Sequence, residues 1–268
     1  MLLREVEYAR PASVQEALRL LGANDGARAL AGGQTLINVM KARAASPDVL
    51  VDLADIGELQ GIELGSDGTL EIGAMTTYSE VIDSAEARAR PILGEVCNQI
   101  ADVQVRNRGT IGGNVCSNDP TNHLPPLLVA IGATMTIVGP NGERSVPAGE
   151  FFLGVYLTAA GPGELLTKIS VPPGKSDGFA SVPIGKDGTC IVNVAATLDG
   201  GAVRLAIGCV DAVPVLVKPE STEDAAVRKA VQTANLDPPW DVHASADYRR
   251  HLAEVLALRA VAQAAGRK

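Results

Sequence analysis

The amino-acid sequence predicts a mixed α+β fold, with an α/β unit followed by an antiparallel sheet with helices. Strand and helix patterns alternate through the N-terminal part of the chain, which is typical of β-α-β units. Apolar segments 191–198 and 203–210 are joined by Asp199-Gly200-Gly201, a hairpin signal. Two helical patterns, about 223–233 and 246–265, follow this hairpin. Sheet and then helices is the order of an α+β domain.

Composition is consistent with this fold and narrows the class of protein. The chain has 268 residues, 46% hydrophobic, enough to bury a core without disulfides. A net charge of -8 without a Lys/Arg cluster argues against a nucleic-acid partner. The four cysteines form no closely spaced pair, so we expect no metal site and a cytoplasmic, reduced protein. No signal peptide or apolar run long enough for a membrane span is expected.

The N-terminal elements follow from patterning and caps. Ser13 and Glu16 have the spacing of a capping box, which predicts a helix to about Leu21. The other predicted elements of this part are strands 5–8, 28–31 and 49–53 and a helix over 35–43.

The middle of the chain is less regular. Thr77 and Glu80 form a second capping-box pattern. Segment 103–120 is rich in Gly and Asn and is predicted to be a shaped loop, and 171–178 is the most linker-like stretch. The remaining predictions are strands 70–73, 134–138 and 144–146 and helices 92–100 and 125–131.

Two glycine-rich segments carry the chemistry. Glycine lets a backbone approach an anion closely and lets successive N–H groups point at it. The first glycine segment lies between a predicted strand and a predicted helix, although a plain turn would also use its Gly-Gly pair. The second follows Arg106, Asn107 and Arg108, and its donors favour an anion or nucleotide. The first comprises Ala31, Gly32, Gly33, Gln34, Thr35 and Leu36, and the second comprises Thr110, Ile111, Gly112, Gly113 and Asn114.

Neither segment has the spacing of a Rossmann fingerprint or a Walker P-loop. The chain instead resembles the FAD-binding medium subunit of the xanthine dehydrogenase and molybdenum-type carbon monoxide dehydrogenase family. Five stretches in the family order carry the resemblance: 31–36, 50–53, 72–77, 104–114 and 162–166. Segment 207–214 is similar more weakly.

The resemblance implies a domain organisation. Residues 1–174 would form a PCMH-type FAD-binding domain of two subdomains, divided near 54–60. Residues 175–268 would form the C-terminal domain of sheet and helices.

The resemblance also implies a function. The chain would be the electron-transfer subunit of a molybdenum hydroxylase. FAD would take electrons from [2Fe–2S] clusters in a small partner subunit and pass them to an external acceptor. A large partner subunit would hold the molybdopterin cofactor, in a dimer of heterotrimers. No catalytic residue is expected in this chain, because the cofactor supplies the redox chemistry.

Carried over residue by residue, both glycine segments would bind the diphosphate and ribityl region of FAD. Leu165 would pack near the isoalloxazine or adenine end. His123 stands where the family usually has an aspartate that contacts the adenosine part, so that contact is in question here. Lys186 lies in a segment, 179–188, that keeps little of the family pattern. Its charge either replaces one that the segment has lost or is simply solvated, and the second interpretation is favoured.

Two other functions stay open. A stand-alone FAD-dependent oxidoreductase would be active as a purified chain, whereas an assembly or docking subunit without flavin would be colourless. The sequence names neither the substrate of the complex nor the electron acceptor, which could be NAD(P), a quinone, a carrier protein or O2.

Overall fold

The structure is a computed structural model that describes residues 2–174, 176–185 and 189–267. Its first unit is a three-stranded parallel sheet in the order β1-β3-β2, with one helix in each crossover. The elements are Glu7–Ala9 (β1), Val14–Ala23 (α1), Ala27–Leu30 (β2), Leu36–Lys41 (α2) and Val49–Asp52 (β3). The predicted β-α-β order of the N-terminal part is therefore confirmed.

The second unit is a five-stranded antiparallel sheet with helices inserted between its strands. Its elements are Ile62–Leu64 (β4), Leu70–Gly73 (β5), Tyr78–Asp83 (α3), Ile92–Cys97 (α4), Val103–Arg106 (α5), Ile111–Ser117 (α6), Leu124–Ile131 (α7), Thr134–Gly139 (β6), Gly142–Pro147 (β7), Ala148–Phe151 (α8), Phe152–Gly154 (β8), Leu157–Thr158 (β9) and Leu165–Val171 (β10). The order of the sheet is β4-β5-β10-β6-β7, so its last strand in sequence lies at its centre. Strands β8 and β9 form a separate small hairpin.

The third unit is a four-stranded antiparallel sheet in the order β11-β12-β13-β14, followed by two helices. Its elements are Asp177–Pro183 (β11), Cys190–Asp199 (β12), Ala202–Gly208 (β13), Val215–Val217 (β14), Asp224–Gln232 (α9) and Ala246–Ala264 (α10). The predicted hairpin is β12 and β13, with Asp199 paired with Ala202 at its turn.

Three apolar cores hold the units. The first lies under the parallel sheet, and Met75 and Leu165 of the second unit pack into it. The second lies between the five-stranded sheet and its helices, and it includes Phe179 and Ala195 from the third unit. The third core lies between the C-terminal sheet and α9 and α10. Packing therefore crosses both unit boundaries, and continuous burial of this kind fixes the relative position of neighbouring layers.

Caps set the starts of several helices as predicted. Thr77 and Glu80 form a complete capping box, with each side chain bonded to the other residue's backbone. Ser13 accepts from the N–H of Glu16 at 3.2 Å, while the Glu16 carboxylate accepts from Ala12 instead of Ser13. Each cap satisfies N–H groups that the first helical turn leaves free.

The prediction of a shaped loop over 103–120 is wrong for much of that segment. It holds α5, whose N-cap Asp102 accepts from Val105, and the seven-residue α6, whose N-cap is Thr110. A glycine in a helix lowers the stability of that helix by about 1 kcal/mol relative to alanine, so the glycine-rich composition of this segment argued against α6. Tertiary contacts of Gly112 outweigh this propensity, as described below.

The linker-like stretch is shorter than predicted. Strand β10 continues to Val171 and β11 begins at Asp177, so both ends of the predicted stretch lie in strands. Among the described residues, no helix is long and apolar enough to cross a membrane.

Candidate cofactor site

The first glycine segment is the tight connection between β2 and α2. Gly33 has φ +74°, in the left-handed region that glycine adopts without steric cost. In the part of the chain that the structure describes, no acceptor lies within hydrogen-bond distance of the backbone N–H groups of residues 32–35. Residues 31–34 are half-buried. A row of free, partly shielded N–H groups is the arrangement that binds phosphate oxygens.

The second glycine segment is the first turn of α6, and its N–H groups are already used. The N–H of Ile111 donates to the carbonyl of Thr76 at 2.9 Å, and that of Gly112 to the carbonyl of Ala74 at 2.8 Å. The N–H of Gly113 donates to Thr110 Oγ1 at 3.0 Å. The glycines here serve close packing, because a methyl group at Gly112 would lie 2.6 Å from the carbonyl oxygen of Ala74.

The two glycine segments are in direct contact. A methyl group at Gly32 would overlap the carbonyl oxygen of Arg108 and lie 2.9 Å from the Cα of Gly109. A methyl group at Gly113 would lie 3.4 Å from the Cβ of Ala31. The free N–H groups of the first segment therefore lie beside the start of α6, and both segments contribute to one surface.

Three of the five stretches of the family resemblance (31–36, 72–77 and 104–114) meet at this surface, and the other two lie in strands next to them. Stretch 72–77 supplies the carbonyl groups on which α6 begins, and 104–114 contains the contact with the first glycine segment. Stretch 50–53 is β3, which pairs with β2 directly before the first glycine segment. Stretch 162–166 leads into β10, beside β5. Residues far apart in sequence thus build one site.

Asn114 has an unsatisfied polar atom at this site. Its Oδ1 is buried and has no hydrogen-bond partner among the described residues. Burial raises the pKa of the neighbouring Tyr78, whose hydroxyl lies beside the Asn114 amide, so this phenol stays protonated at neutral pH. A buried carbonyl oxygen without a donor is costly, and a ligand hydroxyl could supply that donor.

His123 is buried against the third unit. Its ring centroid lies 5.5 Å from that of Phe179 in β11, and burial lowers the pKa of His123 to about 4. The imidazole is neutral at neutral pH, so it does not supply the negative charge that the family resemblance implies at this position.

Leu165 lies in the core of the first unit, together with Met75. Its predicted place beside FAD stays a prediction, as does a cofactor contact of His123. Lys186 lies outside the described residues.

The donor side chains before the second glycine segment have different environments. Arg106 donates to the carbonyl groups of Ile100 and Ala101 at 3.1 and 2.6 Å, so it holds the segment that connects α4 to α5. Asn107 accepts from Ser79 at 2.6 Å. Arg108 is exposed and forms no ion pair within the described ranges. Arg108 is therefore the cation of this group that stays free beside Gly32.

Asn122 is a structural link that the sequence interpretation missed. Its Nδ2 donates to the carbonyl of Asn114 at 3.0 Å, and its own carbonyl accepts from Asn193 Nδ2 in β12 at 3.2 Å. The Asn-rich composition of 114–122 was a signal for backbone-binding side chains, but not for their partners. The site is thereby tied to the C-terminal sheet.

Residues 4–174 match the family model described as "FAD binding domain in molybdopterin dehydrogenase". The chain belongs to this family. This membership confirms the resemblance, and it makes the chain an FAD-binding component of a molybdenum hydroxylase, that is, of an oxidoreductase. In the described ranges no group of three or more His, Cys, Asp or Glu side chains is placed to hold a metal ion.

Relatives from this family are similar over their whole length. The carbon monoxide dehydrogenase medium chain of Afipia carboxidovorans is 39% identical, covering 100% of this chain and 99% of its own. The glyceraldehyde dehydrogenase medium chain of Sulfolobus acidocaldarius is 34% identical, and the match covers 97% of this chain and 99% of that relative.

Solved structures agree with the predicted mixed fold. A chain of the Cu,Mo carbon monoxide dehydrogenase in its cyanide-inactivated form has a TM-score of 0.92 at 36% identity, with 100% of each chain covered. A chain of quinoline 2-oxidoreductase from Pseudomonas putida 86 has a TM-score of 0.91 at 32% identity, with 99% of each covered. The predicted fold class is thus confirmed.

The residues at the site fit the flavin cofactor of the family. The free N–H groups of residues 32–35 suit a diphosphate, and the orphaned Asn114 Oδ1 suits a hydroxyl of the sugar chain. Bound FAD would supply the redox chemistry.

Proposed function

We propose that this chain receives electrons on FAD from iron–sulfur clusters of a partner subunit and passes them to an external acceptor. The observation that carries the proposal is the row of free N–H groups at residues 32–35, packed against the start of α6. Such a site binds the oxygens of a diphosphate through fixed backbone dipoles.

The roles of this chain's own residues follow from their contacts. The first glycine segment binds the diphosphate, and exposed Arg108 adds positive charge beside it. Asn114 accepts a hydrogen bond from the ribityl or ribose region through its free Oδ1. Thr110 and Ala74 hold α6 in the position that makes these contacts possible.

The proposed partners follow from the relatives. Both are named medium chains, a term for one subunit of a multi-subunit enzyme. We expect a small subunit with [2Fe–2S] clusters, a large subunit with the molybdopterin cofactor, and a dimer of heterotrimers. A cytoplasmic location also stays a prediction, consistent with the four cysteines, all of which carry free thiols.

The test is an absorption spectrum of the purified chain, followed by identification of the cofactor released on denaturation. We expect flavin absorption and equimolar FAD, and reduction of the flavin by the reduced cluster-bearing subunit. A colourless chain that fails to take up added FAD would contradict the proposal and favour an assembly subunit. Substrate oxidation by the purified chain alone would favour a stand-alone oxidoreductase.

A further inference from the structure

The end of the C-terminal sheet holds two cysteines side by side. Cys190 is the first residue of β12, and Cys209 directly follows β13, the strand that pairs with β12. The ladder ends where Asn193 is paired with Gly208, so both cysteines lie just beyond it. Their thiols are in hydrogen-bonding contact, and the two residues are 2% and 4% exposed. Contacting thiols on adjacent strands are an arrangement that a disulfide can bridge.

The two thiols differ in acidity. The neighbouring Cys209 thiol lowers the pKa of Cys190, whereas the Cys190 thiol and burial raise the pKa of Cys209. In contrast, burial raises the pKa of Cys97, in the core of the second unit, to about 12. The thiolate is the form that reacts with an oxidant, so Cys190 is the thiol expected to react first.

Arg249 brings a positive charge close to the pair. This buried side chain of α10 donates from Nη1 to the carbonyl of Ile191, next to Cys190, and from Nη2 to Asp241 at 2.7 Å. Its charge opposes the rise in the pKa of Cys209. Its Nε is buried and has no hydrogen-bond partner among the described residues. A buried cation near two thiols favours their anionic, reactive form.

A small oxidant can reach Cys190 from the end of the strand. Thr189, directly before Cys190, is exposed. The terminal residues of an element open at low cost in free energy, so fraying of a single residue uncovers this thiol. Hydrogen peroxide is little larger than water and therefore needs only a small opening.

Cys209 has a strained backbone and a contact that leads to the cofactor site. Its φ of +65° is left-handed, a conformation that persists in a residue with a side chain only where contacts enforce it, preferentially at functional sites. Asn193 Nδ2 lies 3.6 Å from the Cys209 sulfur and donates to the Asn122 carbonyl at 3.2 Å. Because Asn122 in turn holds Asn114, hydrogen bonds connect the thiol pair with the candidate cofactor site.

We propose that Cys190 and Cys209 are a redox-active pair that hydrogen peroxide closes to a disulfide. The Cys190 thiolate attacks one oxygen of the peroxide, the O–O bond breaks and hydroxide leaves, so that the sulfur becomes a sulfenic acid. The Cys209 thiol then attacks this sulfur, the S–S bond forms, and the sulfenic oxygen leaves as water with the thiol proton. Two thiols and one peroxide thus give one disulfide and two water molecules, and two electrons pass from sulfur to oxygen. A thiol reductant reverses the change by exchange.

The first step prepares the second. Negative charge on Cys190 is one of the causes that raise the pKa of Cys209. A sulfenic acid at Cys190 is neutral, so this repulsion is lost after the first step while the charge of Arg249 remains. The second thiol therefore becomes more reactive once the first is oxidised. The reaction needs no flavin, so it is independent of the proposed function.

The experiment treats the purified chain with hydrogen peroxide, quenches with acid, and alkylates the remaining thiols after denaturation. Peptide mass spectrometry should find two peptides joined through Cys190 and Cys209, lighter by two hydrogen atoms than the free pair and released by dithiothreitol. We expect this product to form at least tenfold faster than any oxidation product of Cys97, the matched buried cysteine. In Cys209→Ser, dimedone should trap a sulfenic acid at Cys190, whereas Cys190→Ser should leave Cys209 reduced.

Cys116 is exposed and reports whether the oxidant was delivered. Oxidation of Cys116 without a peptide that joins Cys190 to Cys209 would overturn the proposal. Oxidation of Cys97 at the same rate as the pair would also contradict it, because contact between the thiols would then give no advantage. The joined peptide is measured in the wild-type chain, so this result does not depend on how the variants fold. A wild-type chain without FAD would contradict the proposed function and leave this measurement unaffected.

Discussion

At the scale of single residues, His123 shows how a substitution acts through its surroundings. The family resemblance implies an aspartate at this position, whereas here a neutral imidazole packs on Phe179. Burial lowers the pKa of His123 to about 4, below its value of about 6.5 in an unfolded chain. A protonated imidazole at this position would be buried without a counter-charge, which opposes folding.

This pKa predicts a pH dependence of stability. Between pH 6.5 and 4 the unfolded chain binds the proton more strongly, so the free energy of unfolding falls as pH decreases. The stability that neutral, buried His123 allows is fully present above about pH 6.5, and the free energy of unfolding is about 2 kcal/mol lower by pH 5. We therefore expect the free energy of unfolding of His123→Gln to fall by about 2 kcal/mol less than that of the wild type between pH 7 and pH 5.

Urea unfolding at the two pH values measures this difference. His123→Asn, a second replacement that does not titrate, is the control, and it should show the same reduced pH dependence as His123→Gln. An identical pH dependence in wild type and His123→Gln would show that His123 is not the responsible group.

At the scale of elements, the contact between the two glycine segments is the central feature. Each glycine motif was recognisable in the sequence by its residue types. Their contact was not, since it joins residues 32 and 108 through positions set by two different sheets. Likewise, the hydrogen bonds from Ile111 and Gly112 to 74–76 explain why a Gly-Gly pair begins a helix.

Gly32→Ala is predicted to separate the two segments. Its methyl group would overlap the Arg108 carbonyl and lie 2.7 Å from its carbonyl carbon, and backbone atoms cannot move aside as a flexible side chain can. We expect FAD affinity to fall at least tenfold, about 1.4 kcal/mol or more.

Titration of the apo chain with FAD measures the affinity. Gly22→Ala is the matched control: it lies in α1, and nothing lies within 4 Å of its added methyl group. This control should bind FAD normally and gain up to about 1 kcal/mol in helix stability. Wild-type affinity in Gly32→Ala would contradict the proposed site.

At the scale of the whole molecule, a buried ion pair joins the second and third units. Arg90 donates to both carboxylate oxygens of Asp177, from Nε at 2.8 Å and from Nη2 at 2.7 Å. Its Nη1 donates to the Pro172 carbonyl at 2.6 Å, and Thr197 also donates to Asp177 at 2.6 Å. The predicted domain boundary between residues 174 and 175 stays a prediction, and this network crosses it.

Arg90→Met is predicted to destabilise the fold by about 3–5 kcal/mol, because Asp177 is left buried without its counter-charge. The double variant Arg90→Met/Asp177→Leu should recover much of this loss. Denaturant unfolding measures both.

The exposed pair Arg10–Asp55 provides the control. Arg10→Met should cost less than about 1 kcal/mol, since solvent screens this pair. If Arg10→Met lost as much stability as Arg90→Met, or if Arg90→Met lost none, burial would not be what makes the Arg90–Asp177 pair important for stability.

The sequence by itself determined the features that depend on neighbouring residues. The capping box at Thr77 and the hairpin turn after Asp199 each need only a few adjacent residues. The order of the five stretches was also sufficient to identify the family.

Only the tertiary structure decided how these pieces meet. It placed β10 at the centre of a sheet whose other strands precede it, and it formed α6 against its glycine composition. It also left the N–H groups of residues 32–35 free while those of 111–113 were bonded. The physical reason is that local hydrogen bonds and glycine geometry act over a few residues. The satisfaction of a buried polar group, in contrast, depends on partners that folding brings from distant parts of the chain.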